Sequence, residues 1–152
     1  MMRDFIIWFN SMKPCINGYN YYIDFLKVFR NVDTIRIELN ILNSLIGSQQ
    51  IETDFINLLR DYPQILKCIP TLLAVRKSEI YAQDDEGGYT YKFDVVENTP
   101  EQYAIFMRKT GLFDMISTHV IANLVDYVMG VETGLDSNGR KNRGGHQMEY
   151  LV

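Results

Sequence analysis

The sequence predicts a mainly α fold with one small antiparallel β-hairpin, on three observations. Apolar residues recur at helical spacing over most of the chain, β-formers replace them only between Glu79 and Glu97, and Gly, Pro and capping residues mark the junctions. At 152 residues the chain fits one domain, able to bury roughly two-thirds of its unfolded surface. No internal repeat, low-complexity tract or linker divides it, so residues 1–152 are taken as a single unit.

Between Tyr19 and Arg30 the residues Tyr22, Ile23, Leu26, Val28 and Phe29 fall mostly on one side of a helix. A second amphipathic helix is expected from Ile35 to Ile46, through Ile35, Leu39, Leu42, Leu45 and Ile46, with Gly47 ending it. Ile51, Phe55, Leu58 and Leu59 occupy the i, i+4, i+7 and i+8 positions of a third, which Pro63 limits. Periodicity does not fix the backbone of the apolar segment from Pro63 through Pro70 to Val75.

Ile80, Tyr81, Tyr89, Tyr91, Phe93, Val95 and Val96 are β-formers, and Asp84, Asp85, Glu86, Gly87 and Gly88 between them supply turn chemistry. A hairpin across Glu79–Glu97 follows. Thr99, Pro100 and Gln102 then spell an N-cap, a first helical proline and a capping box, in which side chains satisfy the free N–H groups of a helix that Gly111 ends. Ile116, Val120, Leu124 and Val128 repeat at i, i+4 and predict a last helix from Leu112 to Met129, stopped by Gly130 in the left-handed conformation.

Composition is that of an ordinary globular chain, 47% hydrophobic and 22% charged. No apolar run approaches the roughly 18 residues of a membrane span, so no membrane association is expected. The apolar run within Met1–Met12 follows Asp4 and lacks a small-residue cleavage site, which makes it part of the fold and not a signal peptide. Cys15 and Cys68 have no metal-ligand spacing and suit a reducing cytoplasm. A formal net charge of −4 argues against bulk electrostatic coating of nucleic acid, so any DNA contact must come from locally concentrated cations.

Such a concentration occurs once. After Gly134 the chain reads Leu135, Asp136, Ser137, Asn138, Gly139, Arg140, Lys141, Asn142, Arg143, Gly144, Gly145. Glycine admits close backbone approach, Arg and Lys neutralise phosphate, and Arg and Asn pair bidentately with guanine and adenine edges. The stretch therefore reads as a DNA-contacting loop, with Asn138, Arg140, Lys141, Asn142 and Arg143 as the contacting residues. The Gly134 to Gly139 spacing of a phosphate-binding P-loop is present, but Arg140, Lys141 and Asn142 stand where Lys and then Ser or Thr are needed, and a helix precedes where a strand should. His119 and His146 have no ligand spacing to another His or a Cys, so zinc is not indicated.

The run Val131-Glu132-Thr133-Gly134-Leu135-Asp136-Ser137-Asn138-Gly139-Arg140-Lys141-Asn142-Arg143-Gly144-Gly145-His146-Gln147-Met148-Glu149 closely resembles the middle segment of type II restriction endonucleases of the DpnII/MboI kind. Ile37 to Gly47, Tyr62-Pro63 and Leu72 to Arg76 resemble that family's N-terminal helical region. The resemblance covers nearly the whole chain but only the first half of a family member. It implies the N-terminal helical portion of a PD-(D/E)XK-type α/β endonuclease that cuts double-stranded DNA at GATC with Mg²⁺, in a restriction–modification system. It further implies a homodimer for the complete protein. In that fold an early helix presents a glutamate to the active site; Glu149 is the matching position, as a catalytic residue and metal ligand.

Hydrolysis of a phosphodiester on a metal needs converging carboxylates and usually a lysine, whose local trace is Glu-x-Lys or Asp-x-Lys. No Asp or Glu here is followed two positions later by Lys. The looser pairs Glu38/Asn40 and Asp136/Asn138 lie on an apolar-patterned helix and in the basic stretch, and Asp94 to Glu97 lacks the lysine too. A helix starting near Gly145, with Met148, Leu151 and Val152 on its buried side, breaks off without a cap. The expectation is a fragment truncated within that helix, lacking the catalytic hairpin and inactive alone. The alternative from another class is a non-catalytic helical module that binds DNA or a protein through the same basic stretch.

Overall fold

The computed structural model describes residues 23–84 and 87–151, with residues 84 and 140–151 given as backbone alone. It is mainly helical, with a two-stranded antiparallel sheet. Expectations for Met1–Met12, Cys15, the start of the first helix at Tyr19 and the turn residues Asp85 and Glu86 lie outside the described residues, as does that for the side chains beyond Gly139.

Helix α1 spans Phe25–Asp33, where Asp24 supplies the N-cap by accepting the Lys27 N–H at 3.1 Å. Its buried face is Val28 and Val32; Leu26 and Phe29, expected on the apolar side, are 68% and 47% exposed. They point away because they are two positions before and one after Val28, off the i, i+4 line that docks. Helix α2 (Arg36–Leu42) passes into a 3₁₀ turn at Asn43–Leu45, and Gly47 with φ 74° reverses the chain as its position suggested. Helix α3 (Ile51–Asp61) buries Phe55 and Leu59. The segment that periodicity left open is a 3₁₀ helix at Pro63–Cys68 leading into the short α4 at Ile69–Leu72, buried through Ile65, Leu66, Cys68, Ile69, Pro70 and Leu72.

The hairpin forms, but shorter than expected: β1 (Glu79–Asp84) pairs with β2 (Gly87–Lys92) from Glu79↔Lys92 to Asp84↔Gly87. One further backbone bond, from Phe93 N–H to the Ser78 carbonyl at 2.9 Å, closes its open end. Beyond it the chain turns back, with Glu97 Oε1 3.3 Å from Lys92 Nζ, so Val95 and Val96 are exposed and not laddered. Tyr91 and Phe93 pack at ring-centroid distances of 4.9–6.1 Å against Tyr103 and Phe106 of α5 (Pro100–Lys109). The capping box of α5 is present in both halves, and Gly111, at φ 81°, separates it from α6 (Leu112–Ser117).

Two corrections concern the C-terminal part. The helix expected from Leu112 to Met129 is broken between Ser117 and Leu124, where His119 takes φ 59° and Val120 is 77% exposed. The break is stabilised at both ends: Thr118 Oγ1 donates to the Asp114 carbonyl at 2.7 Å, and Asn123 Oδ1 accepts the Val125 N–H at 2.8 Å as an N-cap. Asn43, distant in sequence, accepts the Leu124 N–H at 2.7 Å. The second correction is that Gly130 does not end the last helix. Helix α7 runs Leu124–Leu151, so the stretch from Gly134 to Gly145 is helical backbone and not a loop, and no new helix begins near Gly145.

Its buried stripe explains why. Leu124, Val128, Glu132 and Asp136 follow one another at i, i+4 and are all buried, so the docked face continues after the apolar residues stop. The hydrophobic pattern ended because the next two buried positions are carboxylates. Gly130 and Gly134 are exposed, and a Cβ added at either would meet nothing within 4 Å. Each glycine costs the helix only about 1 kcal/mol relative to alanine, too little to break a docked element.

Candidate nucleic-acid interface

Helix α7 is held by polar pairs as much as by the apolar core. Asp136 Oδ2 accepts the backbone N–H of Asp24 at 2.8 Å, placing a carboxylate at the N-terminus of α1, where the helix dipole favours it. Lys27 Nζ stands 3.9 Å from its other oxygen. One turn earlier, Glu132 Oε2 accepts from Asn31 Nδ2 at 3.2 Å and lies 3.1 Å from an Arg76 terminal nitrogen. Going up α1 from Asp24 to Asn31 goes back along α7 from Asp136 to Glu132, so the two helices are antiparallel. Tyr127 closes the other side, donating its hydroxyl to the Leu72 carbonyl at 2.8 Å; burial raises its pKa above the usual phenol value.

This anchoring fixes the backbone that carries the sequence-predicted site. Asn138 is exposed on α7, two residues beyond Asp136. Arg140, Lys141, Asn142, Arg143 and Glu149 are on the same helix, and their side chains lie outside the described residues. Helical spacing places Asn138, Asn142 and Glu149 on one strip, whereas Arg140 and Arg143 occupy the strip that contains Asp136. Glu149 is eleven positions from Asn138, about 16 Å along the axis at 1.5 Å per residue. The helix thus groups the two asparagines and the two arginines in separate pairs, with Lys141 flanking the former.

The described carboxylates do not make a Mg²⁺ site. Among the described residues no group of three or more His, Cys, Asp or Glu side chains converges to hold a metal ion. Glu38, Glu132 and Asp136 are buried, and each is engaged by its own cation or N–H donor. The pair expected to be structural, Glu38 with Asn40, is so at Glu38, whose Oε1 is 2.6 Å from Lys67 Nζ.

Sequence reasoning missed a groove of about 320 Å³ where α1, α4, the segment before β1 and α7 meet, lined by Asn31, Thr34, Lys67, Thr71, Arg76 and Lys77 among others. Glu132 and Asp94 also line it. Lys67 comes from the 3₁₀ helix and the adjacent Arg76 and Lys77 from the segment before β1, so no single local run announces all three; the sequence signal for the groove was the i, i+4 relation of Glu132 to Val128.

The DpnII restriction endonuclease family model matches residues 4–152. The type II restriction enzyme DpnII of Streptococcus pneumoniae is 44% identical over 151 residues, which are 99% of this chain and 52% of that protein. MjaIII of Methanocaldococcus jannaschii is 38% identical over 148 residues, 94% of this chain and 51% of that protein. MboI of Moraxella bovis, a further type II restriction enzyme, is 38% identical over 143 residues, again 94% and 51%. The chain therefore spans about half the length of the curated relatives it matches. No solved structure matches it.

Proposed function

This chain belongs to the DpnII restriction endonuclease family, and from that premise we propose that it is the DNA-contacting N-terminal portion of a type II restriction endonuclease acting on double-stranded DNA at GATC. The observation that supports this best is the seating of α7, which is locked to the core through Glu132 and Asp136 immediately before Asn138, Arg140, Lys141, Asn142 and Arg143. Residues that read bases must be held on a rigid element, and a docked helix provides one. In this reading the asparagine strip pairs with base edges, and the cations position the duplex on its phosphates.

Within the complete protein the proposal assigns a PD-(D/E)XK-type fold, a homodimer, a cytoplasmic setting beside a companion methyltransferase, and Mg²⁺-dependent hydrolysis. Glu149 is the one carboxylate of this chain assigned to that centre. In this reading the remaining acidic residues and the lysine lie outside these 152 residues, among which no Asp or Glu is followed two positions later by Lys, so the chain alone is expected to bind DNA without cutting it.

The test is a chimera in which residues 1–152 replace the matching half of the Streptococcus pneumoniae DpnII enzyme. It is incubated with unmethylated GATC-containing plasmid and Mg²⁺, beside the 152-residue chain. Cutting at GATC by the chimera, lost on Glu149→Ala or Arg140→Ala while the far-ultraviolet circular dichroism persists, supports the assignment. Site-specific cutting by the short chain would refute the division of labour. A folded chimera inert on every substrate would favour the non-catalytic binding module.

A further inference from the structure

We propose that the groove walled by Lys67, Arg76 and Lys77 is a second DNA contact, an anion site for phosphodiester groups of the duplex that α7 engages; the inference rests on the DNA reading above. At about 320 Å³ the groove has room for a phosphate group with some of its water, each water occupying roughly 30 Å³. Its polar lining is donor-rich: three cations, the Asn31 amide and the Thr71 and Ser78 hydroxyls.

Two of the cations are preorganised. Arg76 is tied to Glu132 and Lys67 to Glu38, yet the cationic side chains stay 51% and 45% exposed while their carboxylate partners are 7% and 10% exposed. A guanidinium has five N–H donors and an ammonium three, so one carboxylate contact leaves donors for a ligand. Fixing the side chains beforehand also removes much of the ordering cost of binding. Lys77 is exposed and has no ion-pair partner among the described residues. Against these stands Asp94, the exposed acid in the lining.

Placement ties the groove to α7. Glu132, part of its wall, precedes Arg140 by eight residues on one helix, about 12 Å along the axis, comparable to the roughly 12 Å width of the DNA major groove. One duplex lying against α7 can therefore reach both. The groove would position the backbone and carry no sequence information.

The experiment measures binding of the 152-residue chain to a short labelled duplex lacking GATC across a salt series, by fluorescence anisotropy. Lys77→Gln should flatten the log–log salt slope by about 1, one phosphate contact fewer, and weaken binding. Asp94→Asn should tighten binding several-fold. Both side chains are exposed, and unchanged circular dichroism excludes unfolding as the cause. Unchanged slope and affinity in both variants, or no duplex binding by the parent chain, would overturn the proposal. Inorganic phosphate should displace the duplex more strongly than chloride of equal ionic strength and lose that advantage in Lys77→Gln; phosphate binding that Lys77→Gln abolishes while duplex binding stays insensitive to both substitutions would assign the groove to a free phosphate ligand instead. Because the duplex lacks GATC and nothing is cleaved, this outcome is independent of the chimera's activity, so failure of the groove and failure of the endonuclease reading are distinguishable.

Discussion

Arg76, in the segment before β1, places a terminal guanidinium nitrogen 3.1 Å from Glu132 Oε2 on α7, so a half-exposed arginine neutralises a carboxylate that is only 5% exposed as a residue. Removing the arginine leaves that carboxylate with the Asn31 amide alone. Arg76→Ala is expected to destabilise the fold by about 1–3 kcal/mol, below the figure for a fully buried pair because water can reach the arginine's side of the contact. Glu132→Gln should cost less, since a neutral amide keeps the Asn31 contact without a buried charge. Urea midpoints at constant slope check both, and an Arg76→Ala variant as stable as the parent would mean that solvent already satisfies Glu132.

Two helix starts are each capped by a pair of side chains, Thr99 with Gln102 at α5 and Asn123 with Asn43 at α7. Thr99→Ala removes one half of the α5 capping box and is expected to cost about 1 kcal/mol. Asn43→Ala removes the acceptor of the Leu124 N–H, a part-buried bond across 81 positions, at about 1–2 kcal/mol. The sites share no partner, so the double variant should equal the sum within about 0.5 kcal/mol. Thermal unfolding of the four proteins tests this; a strongly non-additive double variant would show that α5 and α7 are coupled.

These two caps mark what the sequence could and could not reveal. The α5 box is local, four residues in a row, and was legible. Asn43 capping Leu124 is not local, and the break it supports hides inside an apolar i, i+4 series, where exposed Val120 imitates a buried position. The course of the last helix is hidden for a related reason: hydrophobic periodicity tracks burial only while buried residues are apolar, and at Glu132 and Asp136 they are not. The basic run was found because it is contiguous. Lys67 is not joined to the adjacent Arg76 and Lys77 in the sequence, and only the fold collects the three.

Cys68 is a free thiol at 0% exposure, its Sγ 3.8 Å from the Ile35 carbonyl. Burial, and secondarily the nearby Glu38 charge, push its pKa up to about 12. The folded state therefore holds the proton when the unfolded chain, titrating near the ordinary thiol value of 9.0, has released it. Its contribution is full below about pH 9 and is lost as pH rises towards 12, because there the unfolded state binds fewer protons. Alkylation at pH 8 should be blocked in the native protein and follow the unfolding transition in urea. Rapid modification without denaturant would show that the Pro63–Cys68 turn opens locally.

The glycines of α7 separate the two accounts of its course by sign. If Gly130 ended a helix in the left-handed conformation, alanine there would be strained and would destabilise by about 1–2 kcal/mol. Instead Gly130 lies within the helix, exposed, with nothing within 4 Å of an added Cβ, so Gly130→Ala is expected to stabilise by about 0.5–1 kcal/mol. Gly134→Ala should behave alike. Proline at 134 gives the converse: it removes a helical hydrogen bond and clashes with the preceding turn, at about 3 kcal/mol or more. Because Asp136 follows two residues later, that kink should also weaken the contact with Asp24 and displace the strip carrying Asn138 and Asn142. Equilibrium unfolding of the three variants, with duplex binding measured on each, reads both consequences. Stabilisation by both alanines together with retained binding is the expected result; destabilisation by Gly130→Ala would restore a helix stop at that position and return Asn138 to Arg143 to a loop.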